Sequence, residues 1–138
     1  MDYILNTEKV QKQYGFGDNT VHALKATTIG FRKGEFAAII GPSGSGKSTL
    51  LHILSALDRP SNGMVYYDNK NLTYLDDNTL SKIRRSKFGF IFQAFNLIPI
   101  LTVMENILLP VLLDDVKEDK EYIDNIVHQL KLEDRLTH

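Results

Sequence analysis

The 138-residue sequence predicts an α/β fold: a strand, a glycine-rich loop and a helix at its centre, antiparallel β-strands on the flanks, and helices in the last third. Three observations predict it. The apolar run Glu35 to Ile40 leads into "GPSGSGKST", residues 41–49, and residues 48–54 continue with helical spacing. Segments rich in β-favouring residues, bounded by turn residues, lie on both sides of that unit. Beyond Thr102 the apolar positions recur at three- and four-residue intervals.

Taken in order, Tyr3 to Val10 and Leu24 to Phe31 read as two strands, separated by the turn Gly15-Phe16-Gly17-Asp18-Asn19. Glu35 to Ile40 is short and apolar, as expected of a buried parallel strand. The helix after the glycine-rich loop is broken by Pro60-Ser61-Asn62-Gly63, and Met64 to Tyr67 is a further strand closed by Asp68 to Asn71. Asp76, Asp77 and Asn78 offer N-caps to a polar helix reaching Arg85, and Phe88 to Phe92 reads as another strand with Gln93 at its end. Thr102 and Glu105 have the spacing of a capping box, and Ile123, Ile126, Val127 and Leu130 mark a second helical stripe. Asp114 to Glu121 is charge-rich and reads as a surface connection.

The loop carries the chemistry. Gly41, Gly46, Lys47 and Ser48 satisfy G-x-x-x-x-G-K-[ST], in which glycines let successive backbone N–H groups turn toward a polyphosphate. Its place before a helix adds the unpaired N–H groups and dipole of a helix N-terminus. Lys47 is then the group for the β- and γ-phosphates and Ser48 a ligand for Mg²⁺. Gly41, Pro42, Ser43, Gly44, Ser45, Gly46, Lys47, Ser48 and Thr49 are the candidate phosphate-binding residues.

Composition narrows the remaining classes. Sixteen basic and 17 acidic residues leave a net charge of −1, so no overall field recruits nucleic acid. The absence of cysteine excludes disulfides and thiolate metal sites. The N-terminal residues have neither the basic nor the apolar region of a secretory signal, and the longest apolar stretch, Ile100 to Leu113, falls short of a membrane span. Any membrane association is therefore expected through a partner. The basic cluster Lys82, Arg84, Arg85 and Lys87 reads as a solvated helix face, since no aromatic platform accompanies it.

The flanks of the loop discriminate among nucleotide-using machines. "GEFAAIIGPSGSGKSTLLHILSALDRPSNGMVYYDNKNL" followed by "IRRSKFGFIFQAFNLIPILTVMENILLP" resembles the nucleotide-binding domain of ATP-binding cassette (ABC) transporters over nearly the whole chain. "FIFQAFNLIPILTVMENI" is most similar to the branch that powers lipoprotein release, macrolide export and bacitracin-type peptide resistance. The resemblance implies an α/β P-loop NTPase core with a flanking antiparallel β subdomain and C-terminal helices. Residues 1–138 would form the N-terminal part of such a domain, with Walker A and Q-loop present and the signature motif and Walker B strand absent.

It also implies roles for single residues. Tyr14 matches the aromatic that stacks on adenine. Gln93 matches the Q-loop glutamine, a catalytic residue that joins Ser48 in the Mg²⁺ shell and couples nucleotide state to a membrane subunit. Val111-Leu112-Leu113-Asp114-Asp115 imitates a Walker B strand, but Pro110 argues against a central strand there. The implied cofactors are ATP and Mg²⁺. The implied partners are permease subunits and a second cassette in a homodimer, with no nucleic acid, at the cytoplasmic face of the membrane. On this reading residues 1–138 alone bind nucleotide without turning it over. Two alternatives share the loop: a soluble cassette ATPase of a nucleic-acid or ribosome complex, and a nucleoside monophosphate kinase, in which the loop opens the protein.

Overall fold

The computed structural model describes residues 3–113 and 119–138, which fall into two compact units, Met1–Phe88 and Gly89–His138. The first unit holds a four-stranded sheet of order β2-β1-β3-β4, formed by β1 (Leu5–Tyr14), β2 (Val21–Phe31), β3 (Asn62–Tyr67) and β4 (Lys70–Asn71). Every pairing in it is antiparallel. β1 and β2 form a hairpin in which Tyr14 lies opposite Val21 and Leu5 opposite Phe31. The expected turn between them is a 3-10 turn at Gly17–Asn19, its end fixed by Thr20, whose amide and hydroxyl both donate to the Gly17 carbonyl.

Helix α1 (Lys47–Leu54) packs its apolar face against β1 and β2, because Leu50, Ile53 and Leu54 recur at helical spacing. Ile53 is 1% exposed and centres a core with Val10, Leu24, Val65, Leu72 and Leu80. Leu80 comes from α2 (Asp77–Lys87), whose N-cap is Asp76: its carboxylate accepts from the Thr79 amide at 3.0 Å. Arg84 of the basic cluster donates to the Ala56 carbonyl at 2.8 Å, which ties α2 to the end of α1. Tyr67 packs against Phe88, with ring centroids 5.1 Å apart.

Two expected strands are not formed. Residues 35–40 join no ladder; Phe36 is 98% and Ile40 89% exposed, and Ile39 packs against the core. Residues 88–92 likewise join no ladder. The physical reason is common to both. A parallel strand exists through hydrogen bonds to neighbouring strands, and among the described residues no strand pairs with either segment. Apolar composition identified segments suited to a sheet interior without supplying their partners.

The second unit contains α3 (Val103–Leu113), α4 (Lys120–Gln129) and a 3-10 turn at Glu133–Arg135. The capping box is realised: Glu105 Oε2 accepts from the Thr102 amide at 2.7 Å, and the Glu105 amide donates to Thr102 Oγ1 at 3.2 Å. Val111, Leu112 and Leu113 are helical, as Pro110 indicated for the Walker B imitation; Asp114 and Asp115 lie outside the described residues. Asp119 caps α4 through the Tyr122 amide, so the charge-rich connection ends in the first turn of a helix. Within α4 Val127 is buried, whereas Leu130, the residue that caps its C-terminus, is exposed.

Candidate functional site

The loop 41–46 arrives at α1 through Gly46, which has φ +89°. A Cβ there would stand 2.6 Å from the Ala23 carbonyl oxygen, so both the backbone conformation and the approach of β2 require glycine. Gly44, at φ +77°, has nothing within 4 Å of its Cβ position and faces open space. No side chain caps α1 at Gly46. The amides of its first turn therefore remain available to an anion.

A depression of about 380 Å³ lies over this loop, lined by Val21, His22 and Ala23 of β2 and by residues 43–49. Lys47 Nζ donates to the carbonyls of Pro42 (2.7 Å) and Gly41 (2.9 Å) and to Ser45 Oγ (3.4 Å). These acceptors hold the ammonium at the loop. A polyphosphate fits this donor set: free helix-terminal amides, an open glycine and a fixed cation. Among the described residues no carboxylate lines the depression to oppose an anion.

Tyr14 ends β1 and is 44% exposed. Its hydroxyl donates to Asp58 Oδ2 at 2.7 Å. Burial, then the hydrogen bond and the negative charge of Asp58, raise the Tyr14 pKa above its ordinary value, so the phenol stays protonated. For Asp58, burial works against ionisation. Hydrogen bonds from Lys12 and Tyr14, with the Lys12 charge and the Arg59 backbone, outweigh it and hold the carboxyl below its usual value.

Tyr14 is not among the residues that line the depression over the loop; Thr49, which lines it, bears on the Tyr14 phenol, lowering its pKa in opposition to Asp58. Gln93 belongs to the second unit, where it is exposed. Sequence reasoning missed Lys12 and Asp58, which surround Tyr14. Lys12 had a signal, since residues two apart on a strand share a face. Asp58, 44 positions from Tyr14, had none.

Comparison with known proteins now decides the family. The ABC transporter family model matches residues 24–138. This chain belongs to the ABC transporter family. It is 50% identical over 109 residues to the uncharacterized ABC transporter ATP-binding protein MJ0796 of Methanocaldococcus jannaschii, covering 79% of this chain and 46% of that protein. It is 41% identical over 139 residues to the lipoprotein-releasing system ATP-binding protein LolD of Legionella pneumophila, covering 99% of this chain and 61% of LolD. The macrolide export ATP-binding/permease protein MacB of Mannheimia succiniciproducens is 46% identical over 107 residues, 78% of this chain and 17% of MacB.

Relatives therefore include members of the lipoprotein-release and macrolide-export branch. A solved dimer of MJ0796 bound to ADP and Pi superimposes with a TM-score of 0.86 at 42% identity, covering 97% of this chain and 60% of that one. The fold is thus that of part of an ABC cassette: an α/β P-loop domain with an antiparallel flank. The chain spans about 60% of the length of LolD and of the solved MJ0796 chain. Among the described residues no helix is long and apolar enough to cross a membrane.

Proposed function

We propose that this chain is the nucleotide-holding part of an ABC transporter ATP-binding subunit. In the whole protein, binding and hydrolysis of Mg-ATP would drive membrane subunits that export or release a peptide, antibiotic or lipoprotein. The observation that carries this reading is the joint geometry of Gly46, the uncapped start of α1, Lys47 and Tyr14. Together they offer a phosphate cradle and, at the end of β1, an exposed aromatic face.

In this reading, residues 41–49 hold the triphosphate and Tyr14 stacks on the adenine, a contact that gives modest affinity with little base discrimination. Ser48 would hold Mg²⁺, which would supply charge neutralisation at the phosphates, and Gln93 would couple nucleotide state to a membrane subunit. Lys47 exchanges its carbonyl partners for the β- and γ-phosphates, trading neutral acceptors for charged ones.

The partners are permease subunits and a second cassette, and the location is the cytoplasmic face of the membrane. The dimeric form of MJ0796 and the fused ATP-binding/permease name of MacB support that assignment by relationship. In the second unit, Asn106 holds the segment after Gln93: its Oδ1 accepts from the Ile98 amide at 2.9 Å, and its Nδ2 donates to the carbonyls of Ile98, Leu101 and Thr102. Phe95, Leu97 and Ile100 remain exposed on that segment, as a docking surface requires.

Calorimetric titration of the chain with ATP and with inorganic tripolyphosphate tests the core of the proposal. Both are expected to bind, ATP more tightly; absence of binding by either overturns it.

A further inference from the structure

Around Tyr14 the structure has built more than a strand end needs. Lys12 and Tyr14 point to the same face of β1, and Lys12 Nζ sits 4.9 Å from the centroid of the Tyr14 ring. That ammonium also donates to Asp58 Oδ1 at 2.5 Å and to the Arg59 carbonyl at 2.7 Å, with its side chain only 13% exposed. The second carboxylate oxygen of Asp58 takes the Tyr14 hydroxyl. One carboxylate thus fixes both the ring's edge and the cation on its face.

Asp58 is itself held by α1. Its amide donates to the His52 carbonyl at 3.1 Å, and the Leu57 amide donates to the same oxygen at 2.8 Å. The helix whose N-terminus forms the phosphate cradle therefore carries, just past its other end, the anchor of the tyrosine. The backbone beside Tyr14 is pinned as well: the Gln13 amide donates to Ser61 Oγ at 3.0 Å, and the Ser61 amide to the Gln11 carbonyl at 2.8 Å.

We propose that Asp58 and Lys12 are positioning residues for base binding, holding the Tyr14 ring in place so that a base joined to a triphosphate on the loop meets it. The inference rests on the reading of Tyr14 as the base platform. A freely rotating tyrosine would lose side-chain entropy on stacking, whereas a ring clamped at its hydroxyl and covered on one face has already lost it. The Lys12 charge also draws electron density from the ring, which favours stacking of an electron-rich purine on the opposite face. The support is directed at the base, since the side-chain hydrogen bonds of Lys12, Tyr14 and Asp58 run among themselves and to the Arg59 carbonyl.

The test is the ratio of ATP affinity to tripolyphosphate affinity, measured by calorimetry on the 138-residue chain and its variants, with circular dichroism as the folding control. Asp58→Ala and Tyr14→Phe are each expected to lower ATP affinity about fivefold and leave tripolyphosphate unchanged. Their combination is expected to cost no more than Asp58→Ala alone, because both break the same bond. Tyr14→Phe keeps the ring and its packing, so it reports even if Asp58→Ala fails to fold. If Tyr14→Ala lowers ATP affinity but Tyr14→Phe and folded Asp58→Ala do not, the ring binds the base without this support and the proposal is overturned. If Tyr14→Ala leaves the ratio unchanged, the base-platform reading itself fails and takes the proposal with it. Equal losses for both ligands assign Asp58 to general stability, which also overturns it.

Discussion

Lys47 Nζ lies 2.7 Å from the Pro42 carbonyl oxygen, five residues back along its own loop. The side chain is therefore held where a phosphate on the loop would meet it, on neutral acceptors that a charged one displaces at little cost. Lys47→Ala removes a charge-assisted contact worth about 1.5–3 kcal/mol, so ATP affinity is expected to fall roughly 10- to 100-fold. The same factor is expected for tripolyphosphate, because Lys47 acts on the phosphates. Calorimetry with both ligands checks it; unchanged affinity for both would remove Lys47 from the site.

Gly46→Ala should be more damaging than its size suggests. The added methyl meets the Ala23 carbonyl and must adopt a left-handed backbone that costs an L-residue roughly 1–2 kcal/mol before any clash. The expected result is a lower thermal midpoint together with loss of ATP binding. Gly44→Ala is the control, sharing the positive φ while its Cβ position is open. Equal destabilisation by the two would show that the approach of β2 to Gly46 is immaterial.

The depressed pKa of Asp58 fixes the direction of an acid effect. Its folded value lies below the unfolded one, so its contribution to stability is present above the unfolded pKa and is lost as pH falls through the folded pKa, beginning near pH 4. Asp76, Glu105 and Glu133 are depressed too, and each adds to the acid limb. Asp58→Asn should therefore flatten that limb in part, with a smaller loss of stability between about pH 4 and pH 2 than wild type shows. Urea midpoints measured at half-unit pH steps check it, and parallel curves would contradict the assignment.

How much of this was legible in the sequence varied with the range of the interactions involved. Local signals were readable: the Asp76 cap, the Thr102–Glu105 box, the hairpin around residues 15–19 and the phosphate loop are each set within a few residues. Apolar content at 35–40 and 88–92 was correct as a description of composition, yet a strand is a relation between segments, and sequence alone does not supply the partner. The surroundings of Tyr14 failed to show for the same reason. Lys12 and Asp58 are brought together only when α1 returns the chain to the end of β1, a closure across 46 positions.

The segment after Gln93 makes a separate prediction. Asn106 satisfies its backbone, so the exposure of Phe95, Leu97 and Ile100 follows from a formed loop. Leu97 is 62% exposed, and a charge there costs the isolated unit little. In the full-length protein Leu97→Asp is expected to weaken association with membrane subunits while leaving ATP affinity unchanged. Co-purification and nucleotide titration of the same preparation separate the two, and a joint fall in both would reject the docking role.

The last prediction concerns turnover by the 138-residue chain. Its phosphate depression is lined by Val21, His22, Ala23 and residues 43–49, and among the described residues no carboxylate lines it to orient an attacking water. Groups that bind substrate and transition state equally do not lower the barrier; acceleration needs contacts that strengthen as the γ-phosphoryl group moves. On the proposed reading Lys47 would contribute charge in both states, and Tyr14 would act on the base rather than on the reacting bond. The chain is therefore expected to bind Mg-ATP and release phosphate at a rate indistinguishable from its Lys47→Ala variant, which serves as the control for contaminating ATPases. Phosphate release near ~1 s⁻¹, the low end of ordinary enzymes, and abolished by Lys47→Ala would show that catalytic groups reside within these residues after all.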